Sequence, residues 1–408
     1  MDLTVAVIKK GNQKGFIDEI LNTLSSHQDI EIIYTGSPED LTSSASNNVK
    51  TLNLFSENKA YLKNQVINQS TKNNILWLST ENTIDEDFME EVFEVIEENN
   101  DKNTIFYPNE TVIDIFKNET VKNYRDLNGI EIEILQQLNI ENLLPEYGVI
   151  TPKNIFETYG YFDEDFEDYE FYRFISLNIK NLSLKLMEFS FITKHILDTF
   201  IDTSYHSKNL RDLLNIYDWK TEIFPNLNWK NEKVALATAY TIIAEKLSSY
   251  IDYYNASEFY KKSLLTFHNQ YSLEGLINSY IKMGEFEKAR YMLEKQGMEK
   301  EKQQEFLSNI NSLEELIEKL EESINQGHLE DVMNALPDVI SVYDGAPVYN
   351  ILGAIQFITK DYENSFKSFY KAVTINPLKQ EYKENLIDVS QIVGKVEKSK
   401  KLLKRLLS

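Results

Sequence analysis

The 408 residues contain no cysteine. Disulfides, thiolate metal sites and cysteine nucleophiles are therefore excluded, and the composition suits a reducing compartment. Imidazole is scarce too, with 5 His, and Gly (13) and Pro (8) are too few for a fibrous or low-complexity chain. There is no run of about 18 apolar residues of the kind a spanning helix needs, and the start, MDLTVAVIKK, lacks the apolar core of a signal peptide. A cytoplasmic location is the expectation. Positive charge is also short: 42 Lys and Arg face 65 Asp and Glu, a formal net charge of -23. Such a surface repels phosphate backbones, which excludes nucleic acid as the expected partner.

What is present is an ordinary globular composition, 42% hydrophobic and 26% charged, long enough for two or three domains at about 150 residues each. Residues 1–110 alternate short apolar runs (Leu3–Ile8, Ile30–Tyr34, Ile75–Leu78) with helix-length polar segments such as Gly15–Leu24. That alternation predicts an α/β domain with a largely parallel sheet. In Asp85–Asn99, Phe88, Val92 and Val95 share one helical stripe, and the carboxylates opposite read as a solvated face. Residues 100–147 offer no motif.

From about Val234 the pattern becomes helix after helix, with an internal register. Counting Ala346 as position one, Leu352 and Gly353 stand at seven and eight, Tyr362 at seventeen, Ser365 at twenty, Phe369 at twenty-four, Ala372 at twenty-seven and Pro377 at thirty-two. Related registers start at Ala237, Gln270, Leu313 and Gln380, so successive starts lie 33, 43, 33 and 34 residues apart. The long interval predicts an extended connection near Lys295–Asn311. This spacing resembles tetratricopeptide repeats, which implies four or five helical hairpins in an all-α solenoid over roughly the last 170 residues. Such an array offers a concave face for a protein partner or for self-association. The basic amphipathic end, KVEKSKKLLKRLLS, reads as a capping helix with a solvated lysine face, or as a surface for an anionic membrane.

The first half carries a second resemblance. The strand LTVAVIKKGN, the helix FIDEILNTLSS, the strand DIEIIYTGS, the stretch YLKNQVINQSTKNNILWLSTEN and the later YGYFDEDFEDYEFYRF succeed one another over about residues 1–195. In order and spacing they resemble the family 2 glycosyltransferases, inverting enzymes with the nucleotide-diphospho-sugar-binding fold called GT-A. The resemblance implies domains at 1–200 (GT-A, α/β, Rossmann-like), 201–235 (a connecting segment) and 236–408 (helical repeats). It also implies a nucleotide-sugar donor and a glycan or protein acceptor.

Residue by residue, the resemblance marks Asp168 as the general base of an inverting transfer, with Glu167 beside it. An Asp- and Glu-rich helix start equally complements the helix dipole. The family's metal-binding Asp-x-Asp falls on Ser79, Thr80 and Glu81, leaving Glu81 as the one carboxylate to hold Mn²⁺ or Mg²⁺. His195 stands where many members place a histidine near the diphosphate or metal; packing is its other reading. Tyr34 and Thr35 replace an acidic pair, and Tyr34 either stacks on a base or packs in the sheet. Lys63 and Asn64 match an Arg-Asn pair, with Lys63 as a point charge for phosphate. Lys9 and Lys10 stand where proline and threonine are common. Two functions follow from these departures: a glycosyltransferase with an unusual donor site, or the same fold kept without catalysis as a scaffold in glycan assembly. A third is an adaptor that oligomerises through the repeats.

Overall fold

The computed structural model describes residues 1–10, 17–27, 29–42, 49–54, 56–99, 101–113, 119–137, 139–167, 169–194, 202–295 and 297–408. They form two compact units, Met1–Thr199 and Phe200–Ser408. The first is α/β and the second all-helical.

In the first unit the elements run β1 (Leu3–Ile8), α1 (Ile17–Leu24), β2 (Glu31–Tyr34), β3 (Val49–Thr51), α2 (Lys59–Gln69), β4 (Asn74–Ser79), β5 (Asn82–Thr83), α3 (Glu86–Glu98), β6 (Thr104–Ile113), β7 (Glu119–Lys122), α4 (Ile134–Gln137), β8 (Val149–Pro152), α5 (Asn154–Tyr159), α6 (Glu170–Asn178) and β9 (Ser183–Lys194). Among the described residues the sheet order is β3-β2-β1-β4-β8-β6-β9-β5, with β7 paired to β6. Strands β3, β2, β1 and β4 are parallel, whereas β8 is antiparallel to both β4 and β6. All six residues of β1 are buried, as are the last five of β4. That is why these strands read as unbroken apolar runs: a parallel sheet is covered on both faces. The chain adds β2 and β3 on one side of β1 and then crosses to add β4 on the other, so its direction of growth switches at the β1–β4 border.

Helix α1 buries Ile17, Ile20, Leu21 and Leu24, and α3 buries Phe88, Met89 and Val92 behind an Asp85 N-cap that accepts from Phe88 N. The solvated-face reading fails at Glu91, which is 8% exposed. Strand β9 slips its register against β6 between the pairs Tyr107–Leu186 and Asn109–Ser190. The bulge takes amides out of the ladder. The Glu91 carboxylate accepts from two of them, Glu188 N and, at 2.9 Å, Phe189 N.

The second unit comprises α7 (Ser204–Ile216), a π-helical turn at Trp219–Ile223, α8 (Glu232–Ser249), α9 (Tyr253–Thr266), α10 (Gln270–Met283), α11 (Phe286–Lys295), α12 (Lys300–Asn325), α13 (Leu329–Val342), α14 (Ala346–Ile358), α15 (Tyr362–Ile375), α16 (Gln380–Ile392) and α17 (Val396–Leu407). From α8 onward they pair as five hairpins. Gly353 is needed where α14 crosses α15, because a Cβ there would lie 2.7 Å from the Phe369 ring; Gly275 meets Tyr260 in the same way between α10 and α9. Two sequence expectations are corrected. The extended connection is the start of the 26-residue helix α12, and residues 204–216 of the connecting segment are α7, which packs against α17. First and last helices of the unit therefore meet. On α17, Leu402 and Leu406 are wholly buried, and Arg405 is 2% exposed. Its Nη2 lies 2.9 Å from Asp202, its Nε donates to Ser204 Oγ, and its guanidinium sits 3.8 Å from the Tyr205 ring centroid. Leu402 and Leu406 of the basic end are thus covered within their own unit. No helix among the described residues is long and apolar enough to cross a membrane.

Candidate functional site

Open α/β sheets receive ligands outside the carboxyl ends of their strands, at the point where strand order switches. Here that point lies where β1 and β4 end, and most of the singled-out polar residues gather around it. The ladder logic continues two residues past β1. Lys9 N donates to Thr35 Oγ1 after β2 (2.9 Å), and Lys10 N donates to Thr80 Oγ1 after β4 (3.1 Å). The two side chains follow their amides to opposite sides. Lys9 Nζ pairs with Asp40 at 2.8 Å, and Lys10 Nζ pairs with Glu81 at 2.8 Å. Each of these four side chains keeps between 13% and 25% of its surface exposed, so the pairs border solvent.

On the β2 side, Asp40 also accepts from Tyr34 Oη (2.9 Å) and Ser37 N (3.0 Å). Burial raises the Asp40 carboxyl, but the bonds from Lys9 and Tyr34 outweigh it and hold the group below the usual range. Burial, with Asp40 adding to it, pushes the Tyr34 phenol up. Tyr34 is 0% exposed, and a Cβ on Gly36 would lie 2.3 Å from its ring atoms. Its ring is packing, and no face is open for a base. On the β4 side, Asn82 Oδ1 accepts from Ser79 N and Ser79 Oγ, while Asn82 Nδ2 donates to Thr193 on β9. That closes the turn which presents Glu81.

Lys63 is fully buried on α2. Its ammonium lies 2.8 Å from Glu170 and 3.1 Å from Glu146, and 4.8 Å from the Tyr147 ring centroid, with Phe171, Phe162 and Trp77 around it. Burial pushes Glu170 up to about 7, and the attraction of Lys63 only partly offsets this. Burial also acts on Glu146, but Lys63, Lys59 and Lys10 together hold it well below the ordinary value. The Tyr147 phenol is driven up by burial and then by Glu146, Glu170 and Glu81. Lys63 is thus the centre of an internal charge cluster rather than a cation at the surface. Lys10 reaches the same cluster, 5.2 Å from the other contact of Lys63, the Tyr147 ring centroid.

Asn64, the next residue, works as a splint. Its Oδ1 accepts from Phe162 N and its Nδ2 donates to Phe162 O, both at 3.0 Å, with a further bond to Glu164. These bonds fasten to α2 the turn that begins at Gly160, whose φ of +95° favours glycine, and leads through Asp163 to Glu167. Glu167 is half-buried just after the short 3-10 turn Glu164–Phe166. Asp168 and His195 lie outside the described residues. The structure therefore brings together Lys9, Lys10, Tyr34, Glu81 and Lys63, and Asn64 adjoins them through α2.

Glu146, Tyr147 and Glu170 were missed by sequence reasoning. Glu146 and Tyr147 end the stretch without motifs, directly before Gly148, whose φ of +74° and tight approach to Phe191 and Pro108 mark a constrained entry to β8. That glycine was the available signal.

Among the described residues the donor set for a divalent metal is limited to Glu81, and His195, the other expected ligand, lies outside them. Glu81 is one carboxylate, and the hydrogen-bonded ammonium of Lys10 already neutralises it. Among the described residues no group of three or more His, Asp or Glu is arranged to hold an ion. A hard dication needs several anionic oxygens, and a neighbouring ammonium opposes it.

The helical unit has a separate cleft of about 500 Å³ between α7, α8 and α9, where Trp219, Tyr240 and Phe259 line one side beside Arg211 and Asn255.

No protein-family model matches the chain, and no curated protein matches it. Among solved structures, the chain is similar to S. aureus TarS 1-349 in complex with UDP, at 12% identity and a TM-score of 0.41 over 69% of this chain and 91% of that one. The same protein in complex with UDP-GlcNAc gives 13% identity and a TM-score of 0.42 over 72% and 88%. GalNAc-T7 with UDP, GalNAc and Mn2+ gives 10% and 0.39 over 58% and 50%.

Proposed function

We propose that the first unit is a glycosyltransferase-type domain of GT-A kind. It binds a nucleoside-diphosphate sugar at the carboxyl ends of β1, β2 and β4 and passes the sugar, with inversion, to a glycan or protein acceptor. The observation that carries this reading is the convergence of Lys9, Lys10, Glu81 and the Lys63 cluster at the topological switch of the sheet, where ligands of open α/β sheets bind. The Asn64 splint supports it, because it fastens to α2 the turn that leads to Glu167. Asp168 is the proposed base that takes the acceptor hydroxyl proton as that oxygen attacks the anomeric carbon, while the bond from that carbon to the diphosphate oxygen breaks and nucleoside diphosphate leaves from the opposite face. The helical hairpins, read as tetratricopeptide-like, would hold the acceptor, a partner protein or a second copy in the cytoplasm.

A thermal-shift screen of the purified chain against uridine, guanosine, cytidine and thymidine diphosphate sugars tests this. Ligand at about 100 times its dissociation constant stabilises by about 2.7 kcal/mol, a midpoint rise of roughly 5–10 °C for a domain of this size. A rise with one nucleotide, followed by a loss of turnover of about 10²-fold or more in Asp168→Asn, supports transfer; undiminished transfer removes Asp168 from its role.

One observation favours a second reading, a scaffold that keeps the fold without catalysis. Lys9, Lys10 and Lys63 each already have a carboxylate partner within the protein. On that reading no nucleotide shifts the midpoint, and the helical unit's partner becomes the object of search.

A further inference from the structure

A donor site of this kind has to neutralise a diphosphate, and the single carboxylate at the end of β4 does not suit a dication. We infer that the charge is supplied instead by the two consecutive lysines after β1, with Lys10 paired to the one carboxylate that a metal would need, so that nucleoside diphosphate is bound without divalent metal. The inference rests on the donor-site reading above and deepens it.

Four observations support it. Lys9 and Lys10 have their backbone amides fixed by Thr35 and Thr80, so both ammonium groups are anchored at the rim of the sheet rather than carried on a loose loop. They bracket the end of β1, one turned to β2 and the other to β4, across the switch point itself. Both remain partly exposed, Lys9 at 25% and Lys10 at 20% of the side chain, whereas Lys63 at 0% is sealed among aromatic rings and unsuited to meet a ligand. Last, Glu81 is bound to Lys10, which makes it a resting partner for the ammonium that an incoming phosphate oxygen replaces. Charge-assisted N–H···O bonds of one kind are exchanged for another, so the swap conserves hydrogen bonds.

Glu81 then has the opposite role to a metal ligand. A ligand's removal weakens nucleotide binding; a competitor's removal strengthens it. The test is isothermal titration of uridine diphosphate into the full-length protein, in chelator and in Mn²⁺, for the wild type, Lys10→Gln, Glu81→Gln and Lys9→Gln, with each variant's unliganded unfolding midpoint recorded to confirm folding. The expected results are equal affinity with chelator and with Mn²⁺, about tenfold weaker binding in Lys10→Gln, the loss of one hydrogen bond to a charged group, and tighter binding in Glu81→Gln. Lys9→Gln weakens binding to a smaller extent and serves if Lys10→Gln does not fold. Binding that appears only with Mn²⁺ and collapses in Glu81→Gln overturns the lysine assignment while leaving the donor site standing. Absence of binding for uridine diphosphate and for the other three nucleoside diphosphates, under either condition, overturns both.

Discussion

Lys63 shows how one residue's meaning depends on its depth. Its position on α2 suits a phosphate contact, but its ammonium is enclosed by Glu146, Glu170 and four aromatic rings. A buried charge persists only when paired, and the cluster supplies that pairing. Glu170 bears the cost. Its value rises from the ordinary 4.5 to about 7 chiefly through burial, so the folded state holds its proton more tightly than the unfolded state does. The stability associated with the neutral acid is fully present below about pH 4.5 and is lost as the pH rises through 7. Glu170→Gln, which stays neutral, should therefore gain in thermal midpoint relative to the wild type between pH 5 and pH 8. A midpoint difference that is flat over that range would refute the shift. In the helical unit Arg405 sits in the complementary situation, 2% exposed and bonded to Asp202, Ser204 and Tyr370. Arg405→Ala leaves Asp202 without its cation and should cost about 3–5 kcal/mol, read as a lowered urea midpoint.

At the scale of elements, the close approaches and the bulge decide the packing. Gly353 lets α14 lie against Phe369 of α15, so Gly353→Ala forces the ring to move and should destabilise by about 1–3 kcal/mol, measured by denaturation with circular dichroism. The helix pairing was legible because the small residue and the aromatic recur at a fixed spacing. Glu91 was not. Its place in α3 has the periodicity of a solvent-facing carboxylate, and only the register slip of β9 brings unpaired amides over it. Glu91→Ala should expose Glu188 N and Phe189 N to rapid hydrogen exchange and lower stability by about 1–3 kcal/mol for each unsatisfied amide. Protection unchanged at those two amides would mean that another group satisfies them.

At the scale of the whole molecule the dominant quantity is the net charge of -23. Self-repulsion of that size opposes compact states and is screened once the Debye length falls to about 10 Å near 0.1 M salt. The unfolding midpoint should rise between 10 mM and 150 mM NaCl, followed by scanning calorimetry; a fall would indicate that the ion pairs outweigh the repulsion. Each unit has its own buried core, so more than one calorimetric transition is compatible with the same measurement.

Composition and periodicity were enough to determine the two fold classes and the succession of helical hairpins. These depend on hydrophobic spacing within one element or one hairpin, which the linear chain carries directly. Lys10, Lys63, Asn64 and Glu81 were marked by the family resemblance, position by position along the chain. What those side chains do was decided only by the tertiary structure. The partners Glu146, Tyr147 and Glu170 are separated from Lys63 by more than eighty residues and are brought to it by β8 and α6. The role of a charged group is set by its depth and its neighbours, and both come from the packing of elements remote in sequence, which no local pattern encodes.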